Sequence, residues 1–146
     1  MKISTKTRYG LRIMIYLATQ SGKNPISVKK IAEHEGVTVK YTEQIIRFFM
    51  HADLLNVIRG SKGGYVIKDE TLKLTAKDIF VLLENEAFLI ECLDPESRNC
   101  GRLKGCSTFE LWNGLEKVIF DYLSSFTIED LAASYKQKFK QLMYYI

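Results

Sequence analysis

Three cysteines, Cys92, Cys100 and Cys106, fall within fifteen residues of this 146-residue chain. Cys92 and Cys100 lie in a stretch, 87–105, in which proline and glycine interrupt the hydrophobic periodicity, and Cys106 directly follows it and precedes a predicted helix start. Thiolates bind soft metals, and the N-terminus of a helix stabilises a thiolate. We therefore interpret the cysteines as candidate ligands of a metal centre, although zinc fingers and ferredoxins use closer C-x2-C pairs. The alternative is three free or buried cysteines that hold no metal.

A second set of polar side chains has the residue types that bind DNA. Glutamine pairs with adenine, glutamate accepts a hydrogen bond from cytosine, and lysine and arginine bind phosphate. One part of the set starts a predicted helix, a second part lies on a glycine-rich loop, and one arginine lies near the chain start. We expect the helix to select bases and the loop to contact phosphate or the minor groove. The residues are Thr38, Lys40, Tyr41, Glu43 and Gln44 in the helix, Arg59, Ser61 and Lys62 in the loop, and Arg8.

The elements that must position this second set form a winged helix-turn-helix pattern. A first helix at 5–20 is followed by a short helix that ends at Gly36, whose backbone freedom suits a sharp turn. Thr38 is a suitable N-cap for the next helix. Strand-like runs on both sides of the loop 59–64 then predict a β-hairpin wing. Such a unit places its second helix in the major groove of DNA.

Two amphipathic helices follow the cysteine stretch. Ser107-x-x-Glu110 has the pattern of a capping box, so we expect a helix directly after Cys106. Its apolar face is wider than one packing surface needs, which predicts a second copy of the chain on the other side; a fully internal helix is the alternative. A further capping box, Thr127-x-x-Asp130, predicts the start of the last helix. The apolar face of the first of these helices contains Trp112, Leu115, Ile119, Tyr122 and Phe126.

The predicted fold class is mainly α with a small β-hairpin wing, a winged helix-turn-helix followed by a long dimerisation helix. Thr75-x-x-Asp78 caps one more helix, which we expect to continue to about Glu86. The predicted divisions are a DNA-binding domain at 1–86, a cysteine-containing sensor loop at 87–106, the dimerisation helix at 107–126, and a C-terminal helix at 127–146 that packs on the domain.

Charge is distributed unevenly. Residues 1–65 contain eleven lysines and arginines against four acidic residues, whereas 66–146 contain ten against thirteen. A basic half that carries the winged-helix pattern suits binding to a polyanion. No run of about 18 apolar residues predicts a membrane span, and no signal-peptide pattern opens the chain, so we expect a cytoplasmic protein without a membrane partner. No Ser/His/Asp or Cys/His set has useful spacing, which argues against an enzyme.

Over nearly its whole length the chain resembles the family of bacterial winged-helix regulators that includes IscR, NsrR and CymR, the Rrf-two type. The likeness rests on residues 1–9, on Tyr41-Thr-Glu-Gln44, on residues 57–65, and on three cysteines before Leu111-Trp112. It implies a homodimeric transcription factor, often a repressor, that binds a palindromic double-stranded DNA operator. In one branch three cysteines of this loop hold an iron–sulfur cluster that tunes DNA binding, and we expect a 2Fe-2S rather than a 4Fe-4S cluster.

The fourth cluster ligand is left unassigned by the sequence. Some relatives supply a histidine three residues after the last cysteine, where this chain has Phe109, and others an acidic residue in the first helix, where it has Arg8. The two histidines, His34 and His51, lie far from the cysteines in sequence, and we expect neither to bind metal. Alternatives to the cluster are a thiol switch, a small-molecule-controlled regulator, and a winged-helix module that binds an acidic protein partner.

Overall fold

The computed structural model describes residues 3–22, 24–84, 88, 90–94, 100–101 and 105–144. Within them the chain is mainly helical with one two-stranded antiparallel hairpin, which confirms the predicted fold class. The elements are α1 Thr5–Thr19, α2 Val28–Glu35, α3 Val39–His51, β1 Leu55–Ile58, β2 Gly64–Ile67, α4 Asp69–Leu72, α5 Ala76–Leu83, a 3-10 turn Glu91–Leu93, α6 Phe109–Ser124 and α7 Ile128–Tyr144.

Side-chain caps fix the starts of the helices that form the helix-turn-helix. The Ser27 hydroxyl accepts a hydrogen bond from the Lys30 N–H at 3.3 Å, and the Thr38 hydroxyl accepts one from the Tyr41 N–H at 3.2 Å. Gly36 ends α2 with φ 67, a left-handed conformation that other residues adopt with strain. The predicted Gly36 turn and Thr38 cap are therefore confirmed.

The core lies between α1, α3, α5, the hairpin and the first turns of α7. α7 packs chiefly against α1, and α5 crosses α1 at Gly10, where a Cβ would meet the side chain of Leu83. Each large apolar side chain in this core contributes about 1.5–3 kcal/mol by its removal from water. The most deeply buried are Ile13, Met14, Leu17, Ile31, Ile45, Ile46, Phe49, Leu55, Ile79, Leu83 and Ile128.

The wing is a short hairpin joined to the segment before α2. Its register pairs Leu55 with Ile67 and Ile58 with Gly64. Ile26 bridges to Tyr65 through two backbone hydrogen bonds of 3.1 and 2.9 Å, so a third segment supports the base of the hairpin. The tip, 59–63, carries the predicted wing residues away from the core.

Three local predictions were wrong. α5 ends at Leu83 rather than near residue 86, and the short helix α4 was not predicted. The capping box at Ser107 does not form: α6 begins at Phe109, and its N-cap, Thr108, makes no side-chain capping hydrogen bond. Because the N-cap is Thr108 rather than Ser107, one residue later than expected, Glu110 lies one position short of the place a capping box requires.

The other two capping boxes form as predicted. Thr75 and Asp78 exchange hydrogen bonds at the start of α5, and Thr127 and Asp130 do so at the start of α7. Backbone hydrogen bonds of 2.8 Å also join Ala76 N–H to the Phe126 carbonyl and Ile128 N–H to the Leu74 carbonyl. The starts of α5 and α7 are therefore held side by side.

Among the described helices, none has the length and apolar content that a membrane crossing needs.

Candidate nucleic-acid interface and cysteine segment

The start of α3 presents most of the predicted base-reading side chains to solvent. Thr38, Lys40, Glu43 and Gln44 are exposed, and Tyr41 is half-buried. The Thr38 hydroxyl accepts the capping hydrogen bond from the Tyr41 N–H. That hydroxyl fixes the helix start and keeps its own O–H free to donate.

Tyr41 lies beside these exposed residues, and its ring packs against α1. Its ring lies edge-to-face with Tyr9 of α1, with centroids 6.0 Å apart and an interplanar angle of 88°. Burial, and to a lesser extent the neighbouring Tyr9, raises the pKa of Tyr41 above its usual value. The phenol is therefore neutral at physiological pH and can donate a hydrogen bond.

Three side chains that sequence reasoning did not include in the reading surface lie beside it. Val39, the first residue of α3, is 40% exposed. Lys6 and Arg47 line a pocket of about 460 Å³ together with Tyr41 and Gln44. The sequence contained one signal that Val39 belongs to the reading surface, since it is apolar yet lies off the buried stripe of α3. An exposed apolar side chain at this place can contact the methyl group of thymine.

The helical spacing of apolar residues predicts a buried face of α3 that consists of Tyr41, Ile45, Phe48, Phe49 and Ala52, and for Phe48 this prediction is wrong. Its ring is 36% exposed, and the ammonium of Lys6 lies 4.6 Å from its centroid. The core positions are taken by Ile46 and Thr42, which the sequence pattern did not select. Cation and ring together form one wall of the pocket beside Gln44.

The predicted phosphate contacts are exposed. Arg59, Ser61 and Lys62 project from the wing tip, and Arg8 is exposed on α1. In the tip, Gly60 has φ 123, and the Gly63 N–H donates to its carbonyl at 3.0 Å. Strand β1 adds two side chains, Val57 and Ile58, that are each 47% exposed.

A buried carboxylate holds the end of α2 in place. Only 2% of the Glu35 side chain is exposed. Its Oε2 lies 2.6 Å from Arg12 Nε, although no N–H within the described chain points at that oxygen with hydrogen-bond geometry. Its Oε1 lies 2.8 Å from His34 Nδ1. Arg12 also lies over the ring of Tyr9, at 5.1 Å from the centroid. The contacts thus connect α2 to α1 directly before the Gly36 turn.

The three cysteines are free thiols with different exposure. Cys92 is half-buried in the turn Glu91–Leu93, and Cys100 is exposed. Cys106 is also half-buried and lies two residues before Thr108, the N-cap of α6. Among the described residues, no three His, Cys, Asp or Glu side chains lie close enough together to hold a metal ion. The thiols as arranged here therefore do not form the donor set that an iron–sulfur cluster needs. The intervening positions 95–99 and 102–104 lie outside the described residues.

Cys106 has the surroundings of a reactive thiol. Its Sγ lies 3.5 Å from Thr108 Oγ1. The Thr108 hydroxyl and then the Thr108 N–H lower the pKa of the Cys106 thiol; desolvation opposes them, and the Phe109 N–H adds the smallest lowering effect. The N–H groups at the start of α6 therefore favour the thiolate, which is the nucleophilic and oxidisable form.

A family model named Rrf2, described as an iron-dependent transcriptional regulator, matches residues 3–134. The chain belongs to the Rrf2 family. The predicted family is thereby confirmed, and with it a transcription regulator rather than an enzyme.

Individual Rrf2 proteins match over most of their length. CymR of Bacillus subtilis strain 168 is 38% identical over 146 residues, which is all of both chains. The structure of this CymR, the global cysteine regulator of B. subtilis, has a TM-score of 0.74 at 40% identity, over 92% of this chain and 98% of the other. The oxidised form of Staphylococcus aureus CymR has a TM-score of 0.70 at 37% identity, over 90% and 96%. IscR of T. potens has a TM-score of 0.75 at 30% identity, over 94% and 90%.

In this Rrf2 protein, α6 has an apolar stripe that no other part of the described chain covers. The helix contains no buried residue. Its open stripe follows a spacing of four, three and four residues, which is one side of a helix. The stripe consists of Leu111, Leu115, Val118 and Tyr122, which are 62%, 43%, 66% and 66% exposed.

Proposed function

We propose that this Rrf2 protein is a homodimeric regulator that binds a palindromic DNA operator, with an affinity set by the chemical state of its cysteine segment. The observation that carries the proposal is the exposed polar start of α3, capped by Thr38 and set in a winged helix-turn-helix. Such a helix enters the major groove, and a two-fold dimer places two of them about 34–36 Å apart on half-sites. We place this activity in the cytoplasm, where DNA is available.

Within that proposal, Lys40, Glu43 and Gln44 select bases and Tyr41 supports them. Gln44 has the amide that reads adenine, and Glu43 has the carboxylate that accepts from cytosine. Thr38, which caps α3, adds a hydroxyl donor at the same surface. The wing residues Arg59, Ser61 and Lys62, together with Arg8, bind phosphate or the minor groove, as their exposure permits.

The dimer forms through α6. An apolar stripe of four side chains on one helix is unfavourable in water, because complete burial of one such side chain is worth about 1.5–3 kcal/mol and these four are only partly buried. A second copy of α6 packed on the stripe removes it from water. The same contact sets the distance between the two α3 helices, since α6 packs against α5 and α5 against α1.

The state that controls DNA binding is, in our proposal, the oxidation state of the thiols. Cys106 has a lowered pKa and lies at the start of the proposed dimer helix. Its thiolate attacks one oxygen of a peroxide, the O–O bond breaks, and the hydroxide or alkoxide that leaves takes a proton from solvent to give water or an alcohol, so that the sulfur is oxidised by two electrons to a sulfenic acid. The similarity to CymR proteins, one of which is described as a cysteine regulator and another as an oxidised form, supports this choice.

An iron–sulfur cluster on Cys92, Cys100 and Cys106 is the second candidate, with 2Fe-2S preferred to 4Fe-4S. Three cysteines within fifteen residues and the similarity to IscR favour it. It requires the cysteine segment to adopt an arrangement other than the one described, in which the three thiols do not form a common metal site.

One experiment separates the two candidates. The full-length protein is purified without oxygen and analysed for iron, sulfide and visible absorbance. A duplex selected from a random library is then titrated with the protein as isolated, after chelation, and after treatment with peroxide followed by dithiothreitol. Reversible loss of affinity with peroxide, in protein without iron, supports the thiol switch. Stoichiometric iron and sulfide, with an affinity that follows cluster content, supports the cluster. Equal affinity in all states contradicts both, because a ligand that binds two states equally shifts neither.

A further inference from the structure

A pocket of about 470 Å³ lies where the end of α7 passes the ends of α1 and α2. It lies apart from the cysteine segment and from the exposed start of α3. Its volume is within the range of small-molecule sites, about 300–1,000 Å³. Two turns of α7 form one wall, and α1 and α2 form the other.

The walls contain four aromatic rings that contact one another in series. Tyr16 and His34 stack with centroids 3.7 Å apart and an interplanar angle of 12°. His34 Nε2 lies 3.1 Å from the hydroxyl of Tyr135, and the Tyr135 and Phe139 rings lie nearly parallel at 6.4 Å. Flat, positioned rings of this kind suit a planar or apolar ligand body.

The charge of the pocket has one sign. Lys136 and Lys140, one turn apart on α7, both line it, and none of its described lining residues is acidic. The Glu35 carboxylate, which contacts His34, is paired with Arg12 and does not line the pocket. Lys138, on the same helix between the two lysines, does not line the pocket. An organic anion therefore meets, beside aromatic walls, two ammonium groups that form no ion pair within the described part of the chain.

We propose that this pocket binds a small organic anion, with its carboxylate at Lys136 and Lys140 and its planar or apolar body against the aromatic walls. Such a ligand is an effector, and this part of the inference rests on the proposed function. His34 and Glu35 directly precede the Gly36 turn that leads into α3, so an anion that draws α7 towards α2 acts next to the helix-turn-helix. It changes DNA affinity to the extent that it binds the two arrangements unequally.

The test uses benzoate as the probe and benzamide as its neutral counterpart. Benzoate is titrated into the ¹⁵N-labelled full-length protein at low salt, and amide shifts are followed at the ends of α1 and α2 and over 135–140. We expect saturable shifts confined to these places with benzoate and much weaker binding of benzamide. Lys136→Gln and Lys140→Gln should each reduce benzoate affinity about two- to fivefold, the range for an exposed ion pair.

Lys138→Gln is the matched control, because it removes the same charge from the same helix without touching the pocket. An equal loss of affinity in Lys138→Gln, equal binding of benzamide, shifts centred on α3 or α6, or no saturation at millimolar benzoate each overturn the pocket. The effector role is tested by titrating the selected duplex with and without benzoate. Unchanged DNA affinity while benzoate is bound overturns that role. A protein that binds no duplex in any state contradicts the proposed function instead, and the benzoate titration alone then tests the pocket.

Discussion

Helices α3 and α6 are both amphipathic, but α3 buries its apolar face within the chain whereas α6 leaves its apolar stripe exposed. On α3, Ile45, Ile46 and Phe49 are at most 1% exposed, and the polar side faces solvent. On α6, no residue is buried, and the apolar stripe faces solvent. The first helix is completed by its own chain, whereas the second needs another surface. An apolar pattern alone thus predicts that a face is covered, but not by which chain.

The largest expected effect, on the free energy of unfolding, comes from a substitution on the buried face of α3. Phe49→Ala removes a fully buried ring and leaves a cavity, which should lower the free energy of unfolding by about 3–5 kcal/mol. Urea denaturation followed by circular dichroism measures it. Phe139→Ala, at a site that is 56% exposed, is the control and should change the unfolding free energy by less than about 0.5 kcal/mol. Similar losses in both variants would mean that exposure does not distinguish the two sites.

The α6 stripe is tested by a charge at its centre. Leu115→Glu should weaken the dimer by at least about 2 kcal/mol, more than tenfold in the dissociation constant, because a carboxylate is buried there without a partner. Sedimentation velocity over a range of concentrations measures it. Asn113→Glu adds the same charge to an exposed position off the stripe and should leave the dimer intact. If Leu115→Glu stays a dimer, or the parent protein is a monomer, α6 is not the interface.

Sequence reasoning succeeded where the determinants are local. The Thr38 cap, the Gly36 turn and two capping boxes each depend on residues at most three positions apart, so their chemistry is visible in the sequence. The contact between His34 and Tyr135 joins residues 101 positions apart and needs the packing of α7 on α1, which no local pattern encodes. The capping box predicted at Ser107 fails although it is a local motif, because a shift of the N-cap by one residue, to Thr108, is enough to remove it.

A smaller effect is expected where α3 meets base edges. Gln44→Ala should cost about 1–3 kcal/mol on the selected duplex, and the loss should concentrate at one base pair, since a bidentate amide–adenine contact discriminates by that amount. Competition with duplexes substituted at each position measures it. Lys62→Ala, on the wing, is the comparison: it should weaken all duplexes alike and lower the slope of affinity against salt by about one. A uniform loss for Gln44→Ala would assign Gln44 to the phosphate backbone instead.

The smallest expected effect concerns the start of α6, where the N-cap hydroxyl has a different partner from the N-cap hydroxyl of α3. Thr38 uses its hydroxyl to cap α3, whereas the Thr108 hydroxyl at the start of α6 makes no cap and lies against Cys106 Sγ. That hydroxyl is the first cause of the lowered pKa of Cys106. A lowered pKa keeps the thiolate present to a lower pH, so alkylation of Cys106 by iodoacetamide should stay fast below the pH at which an ordinary thiol, with a pKa of about 8.5, slows.

The measurement is the alkylation rate of Cys106 as a function of pH, read by mass spectrometry in a variant with Cys92→Ser and Cys100→Ser. Thr108→Val removes the hydroxyl and keeps the side-chain volume, so the midpoint should move to higher pH. Ser107→Ala, which lies beside Cys106 and has no part in the lowered pKa, is the control and should leave the midpoint in place. A midpoint that is the same in Thr108→Val and in the parent would leave the backbone N–H groups of α6 as the source of the effect. The start of α6 would then stabilise the thiolate as any helix N-terminus does, without the hydroxyl that distinguishes it from α3.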